Sequence, residues 1–157
     1  MDLDRALDVL RALHDEEAAY VLVGALALNL HGLPRATEDL DIFVRAESEN
    51  IERVRKALRR VWDDPEIEDV SADDLGGDYP VIRYGPPGED FVIDLISRLG
   101  EAMRFEDLMF ETIVVNDVPV RIATPTTLYE MKRATMRPQD RADAAALKRR
   151  FDLQEED

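Results

Sequence analysis

The sequence predicts an α/β (α+β) fold, a mixed β-sheet flanked by helices, and three observations carry that prediction. Short apolar runs of β type are interspersed with stretches whose apolar residues recur at helical spacing. Two late runs, Ile113–Val115 and Val118–Ile122, are separated only by Asn116-Asp117, as in a tight hairpin. The 157 residues contain no internal repeat, low-complexity tract or linker, so one domain spanning 1–157 is expected, with a C-terminal helical region at about 126–150.

The elements follow in order. Leu3, Leu7, Leu10 and Leu13 are spaced as one face of an amphipathic helix. Tyr20 to Gly24 is a short apolar strand, and Ala25 to Leu30 a helix that Gly32 caps and Pro34 ends. Asp39 to Val44 reads as a second strand, alternating at first and apolar at its end. Ser48 is placed to cap a helix carrying Ile51, Val54, Leu58 and Val61 on one face. From Asp63 to Asp78 the chain is acidic, and Gly76-Gly77 marks a loop. Val81–Tyr84 and Phe91–Ile96 are further strands around a Gly85-Pro86-Pro87-Gly88 turn. The last helical region starts near Thr126, after Pro125, with a break at Pro138. Trp62, near a helix end, reads as a core residue.

Composition excludes several classes of function. The chain has no Cys, which removes disulfide scaffolds, thiolate zinc sites and cysteine nucleophiles. No apolar run approaches the ~20 residues of a membrane span, and Met1-Asp2-Leu3-Asp4 does not open a basic-then-apolar leader, so a cytoplasmic protein without membrane partners is expected. With 20 basic and 35 acidic residues the net charge is −15, which opposes indiscriminate binding to polyanions. The stretch from Arg121 to Arg150 runs the other way, with eight basic residues against three acidic ones. His14 and His31, the two histidines, are too far apart in sequence to suggest a metal centre.

The chemistry concentrates in three carboxylates. Side chains alternate along a strand, so Asp39 and Asp41 project to one side while Leu40 and Ile42 face the core. Such paired acids repel unless a cation lies between them, and an all-oxygen donor set suits Mg²⁺. Asp94 interrupts the otherwise apolar strand Phe91–Ile96, where an unpaired charge is costly. Together the three could hold two Mg²⁺ ions about 4 Å apart, the arrangement that clamps both oxygens of a phosphoryl or nucleotidyl transfer. Gly24-Ala25, at a strand-to-helix junction, lets a phosphate approach backbone N–H groups.

The stretch from Val21 to Ile42, with Gly24-Ala25 and the Arg35-x-Thr37-x-Asp39-x-Asp41 run, resembles the DNA polymerase β-like nucleotidyltransferase superfamily, and within it the minimal bacterial enzymes related to the AbiEii toxin family. The segment Thr124 to Lys132, continuing through Arg137 to Asp143, is similar to the C-terminal helical region of that group. The resemblance implies a metal-dependent enzyme that transfers NMP from an NTP to a hydroxyl of RNA, protein or a small molecule, either as a toxin–antitoxin component or as a small-molecule adenylyltransferase like those that inactivate antibiotics, and the chain alone does not choose between them. It implies that Asp39 and Asp41 bind metal, that Asp94 is the third acid and activates the acceptor, and that Gly24 shapes the triphosphate loop. Arg35 and Lys132 would then stand near the phosphates and Thr37 would support the loop, although both basic residues also read as surface charges. Asp140 and Asp143 read as orienting Lys132 or Arg137, or as capping the helix after Pro138. Where the family usually has Ser or Gly after the glycine, this chain has Ala25, which keeps backbone access but lacks a hydroxyl. That departure supports a second reading, a catalytically inactive nucleotidyltransferase-fold module with a binding or regulatory role. For a chain of this size, acceptor recognition by a cognate partner protein or a homo-oligomer is also expected.

Overall fold

In the computed structural model, residues 1–100, 103–133 and 138–153 are described. Helix α1 (Leu3–Asp15) begins at Asp2, whose carboxylate accepts from the backbone N–H groups of Asp4 and Arg5 at 3.0 and 3.3 Å. Strand β1 (Tyr20–Val23) is buried throughout and leads directly into α2 (Gly24–Leu30). Gly32 has φ +94°, and the N–H groups of Gly32 and Leu33 return to the carbonyls of Asn29 and Leu28, the double closure of a Schellman motif. Strand β2 (Asp39–Val44) precedes α3 (Ser48–Val61). The expected cap at Ser48 is not formed: Glu47 holds the cap position without a side-chain bond, and Ser48 is the first helical residue.

The acidic segment after α3 is not simply a loop. It contains a 3₁₀ turn (Pro65–Asp69) and a short helix α4 (Ala72–Gly76), because Ile67, Val70 and Leu75 are buried between the acidic residues. Trp62, buried as expected of a core residue, meets the rings of Tyr84 and Phe91 edge-on or tilted. Strands β3 (Val81–Tyr84) and β4 (Val92–Ile96) follow, and then a two-stranded hairpin that the sequence reading did not anticipate, β5 (Arg98–Leu99) with β6 (Met103–Arg104). The late hairpin pairs β7 (Phe110–Val115) with β8 (Val118–Ala123), Asn116 and Asp117 both taking the positive φ of a tight turn. Helices α5 (Pro125–Arg133) and α6 (Pro138–Phe151) are the last elements among the described residues.

The main sheet has six strands in the order β3-β4-β2-β1-β8-β7 and is mixed. Strand β2 lies antiparallel to β1 and parallel to β4, while β1 is parallel to β8. Leu40 and Ile42 of β2, and Ile93 and Leu95 of β4, are buried, so the intervening Asp39, Asp41 and Asp94 emerge on the opposite face. Asn50 ties the first two strands to α3: its Oδ1 accepts from Ala19 N–H at 2.6 Å, and its Nδ2 donates to the carbonyls of Ala19 and Arg45. Among the described residues no helix is long and apolar enough to cross a membrane.

Candidate active site

Parallel pairing of β2 with β4 sets Asp41 directly beside Asp94, with Asp39 two residues before Asp41 on the same face. One carboxylate oxygen from each of Asp39, Asp41 and Asp94 lies within 4.8 Å of the others, so the three could hold a metal ion. Asp41 feels the crowding most. Burial, then the charge of Asp94 and the hydrogen bond shared with it, then the charge of Asp39 push its carboxyl up to about 7, against an opposing pull from Lys132. Carboxylates this close can be relieved by a proton or by a cation between them.

The turn from β1 into α2 is built around the same carboxylate. Val23 pairs with Asp41, so the next residue, Gly24, passes directly over it. Gly24 has φ +74°, and a Cβ there would lie 2.1 Å from Asp41 Oδ2, a distance no side chain tolerates. No side chain caps the N-terminus of α2. Ala25, the first residue after the glycine, is half-buried in that first turn.

One residue at the site escaped the sequence reading. Arg83 on the edge strand β3 pairs in register with Asp94, and its guanidinium contacts Asp94 through Nε at 3.0 Å and Nη2 at 3.3 Å, and Asp39 at 3.4 Å. Arg83 thus supplies a positive charge where the acids converge. Its placement depends on the register across the Gly85–Gly88 turn, which a loop of that length does not reveal from sequence.

Comparison with known proteins decides the family. A family model described as nucleotidyl transferase AbiEii toxin, type IV TA system, matches residues 5–154. The chain belongs to the AbiEii nucleotidyltransferase family. It is therefore a nucleotidyltransferase of a toxin family from type IV toxin–antitoxin systems. Among solved structures, the crystal structure of ANT(2")-Ia in complex with adenylyl-2"-tobramycin shares the fold, with TM-score 0.53 at 14% identity over 92% of this chain and 86% of that one. No curated protein matches the sequence.

Within this AbiEii-family chain, α5 brings Lys132 to the acidic face. Gly24, Asp41, Leu128, Met131 and Lys132 line a common cavity of about 120 Å³. Lys132 is held from α6, its Nζ 2.9 Å from Asp140 and 3.5 Å from Asp143, and both acids are buried. Arg35 is drawn toward α6 as well: its Nη1 donates to Asp143 at 2.6 Å, and its backbone is bracketed by the Asn29 amide. The structure therefore groups Gly24, Asp39, Asp41, Asp94 and Lys132, and engages the Arg35 guanidinium with α6. The Thr37 carbonyl accepts from the amino group of Met1 at 3.4 Å. Arg137, named with Asp140 and Asp143 from sequence, lies outside the described residues. His31 is not grouped with the acids: its Nε2 is 2.8 Å from the Ala123 carbonyl.

Proposed function

We propose that this chain is a Mg²⁺-dependent nucleotidyltransferase that moves NMP from an NTP to a hydroxyl of an RNA, protein or small-molecule acceptor, as the toxin of a toxin–antitoxin pair in the cytoplasm. The observation that carries the reading is the convergence of Asp39, Asp41 and Asp94 beneath the Gly24 turn. The donor set fits the metal: all three ligands are carboxylates, and the upward shift of Asp41 marks a crowding that a cation would relieve. Asp39, Asp41 and Asp94 would hold the metal, expected as two Mg²⁺ ions, which would supply neutralisation of the charge on the transferred phosphate.

The chain's own groups do the rest. Gly24 keeps the mouth of the site free of side-chain atoms, so a triphosphate can meet the backbone N–H groups that open α2. Lys132, fixed by Asp140, presents its ammonium toward the charge that develops on departing pyrophosphate. Asp94 is the group to take the acceptor's proton at a carboxylate oxygen, and its contact with Arg83 orients that carboxylate.

The experiment is label transfer. The protein is incubated with each α-labelled NTP, Mg²⁺ and a cell extract, beside Asp41→Asn. Transfer to a discrete acceptor that is lost in the variant and in EDTA supports the proposal. Absence of transfer together with absence of Mg²⁺-dependent NTP binding would sink it.

A further inference from the structure

The acidic triad does not account for a group of arginines at the other end of the same strands. Beyond the carboxyl ends of β2 and β4 lies a second cavity, of about 280 Å³, lined by Arg45, Arg98, Arg104, Phe105 and two glutamates, Glu47 and Glu106. Arg45 follows Asp41 by four residues, and Arg98 follows Asp94 by four. At ~3.3 Å per residue the cavity is roughly 13 Å from the triad.

Its charge is arranged against the protein's own interest. Arg98 and Arg104 are directly opposed in the β5–β6 register, where like charges destabilise a strand pair, and neither has an ion-pair partner among the described residues. Arg45 lies over the Phe105 ring at 5.0 Å, and its Nε–H is buried without a hydrogen bond. Glu47 and Glu106 approach that nitrogen only to 3.7 Å, which balances charge without satisfying the donor. Three guanidiniums around one cavity, two of them in register and without an ion pair among the described residues, form a fork-donor set suited to an oxyanion. In a chain of net charge −15, such a cluster is not a by-product of composition.

We infer that Arg45, Arg98 and Arg104 form a phosphate-binding site separate from the triad. Its ligand is a phosphate group, either free or part of a nucleic-acid backbone, held by bidentate guanidinium contacts. The inference does not depend on nucleotidyl transfer.

The test is calorimetric titration of the whole protein with pyrophosphate in EDTA, which takes metal-dependent binding out of play. Saturable binding, weakened at least about tenfold in the Arg98→Gln/Arg104→Gln double variant and also weakened in Arg45→Gln, is the expected result. The double variant should melt no lower than the parent, because it relieves a repulsion. No saturable binding, or binding unchanged in the double variant, overturns the site. A short single-stranded oligoribonucleotide, titrated at two salt concentrations, then separates the sources. Tighter, salt-sensitive binding that still requires Arg98 and Arg104 supports a nucleic-acid phosphate, and weaker binding than pyrophosphate supports a free one.

Discussion

The Arg83 guanidinium contacts both carboxylate oxygens of Asp94, at 3.0 and 3.3 Å, and so occupies from the edge strand the electrostatic role that a metal would take from the other side. A fixed positive charge beside a divalent ion opposes its binding, an effect that solvent around the exposed guanidinium reduces without removing. Arg83→Gln is therefore expected to bind Mg²⁺ or Mn²⁺ about tenfold or more tightly, read by calorimetry on the metal-free protein. Weaker binding in the variant would show that orienting Asp94 matters more than the competing charge.

Gly24 is constrained twice, by its positive φ and by Asp41 beneath it. Gly24→Ala forces a left-handed conformation costing about 1–2 kcal/mol and drives a methyl group into Asp41 Oδ2. The expected outcome is a lower melting temperature together with loss of Mg²⁺-dependent NTP binding. Binding at parental affinity would mean that the turn can move away from the carboxylate and that the triphosphate does not use it.

The raised Asp41 carboxyl has a direct consequence for stability. In the folded, metal-free protein it titrates near 7, against 3.8 for the ordinary group, with burial the leading cause. Between those values the native state keeps a proton that the unfolded chain releases. Asp41's contribution is thus fully present below about pH 4 and is lost as pH rises to 7. In EDTA, the melting temperature of the parent should fall relative to Asp41→Asn across this window, and Mg²⁺ should restore more stability at pH 7.5 than at pH 5. A constant difference between the two proteins across the window would refute the shift.

The difference between Asp41 and Arg83 shows what sequence can carry. Asp39, Asp41 and Asp94 stand out because each is a charge at a fixed place in a strand pattern, and alternation alone puts the first two on one face. The bounds of β2, Asp39–Val44, were legible for the same reason, whereas β7 begins at Phe110, three residues before its apolar run Ile113–Val115. Arg83 was not, because its role follows from pairing with Asp94 across a Pro-Pro loop, and register is a property of two strands. The Arg35–Asp143 contact is still less accessible, joining residues 108 positions apart. The β5–β6 hairpin, with two residues per strand, is too short for any periodicity.

The position of Gly24 over Asp41 depends in turn on how β1 and β2 are anchored, and Asn50 is the anchor. It is buried and makes three hydrogen bonds, to Ala19 N–H, the Ala19 carbonyl and the Arg45 carbonyl. Asn50→Ala strands these backbone groups where water reaches them poorly, at a cost of about 2–4 kcal/mol. In a protein of this size, that corresponds to a fall in melting temperature of roughly 5–15 °C. Asn50→Asp should be at least as harmful. It retains the acceptor for Ala19 N–H but replaces the amide donor with a charged oxygen facing two carbonyls. Thermal melts of both variants check the point, and Asn50→Asp melting above Asn50→Ala would show that the two donor contacts are not what holds the strands to α3.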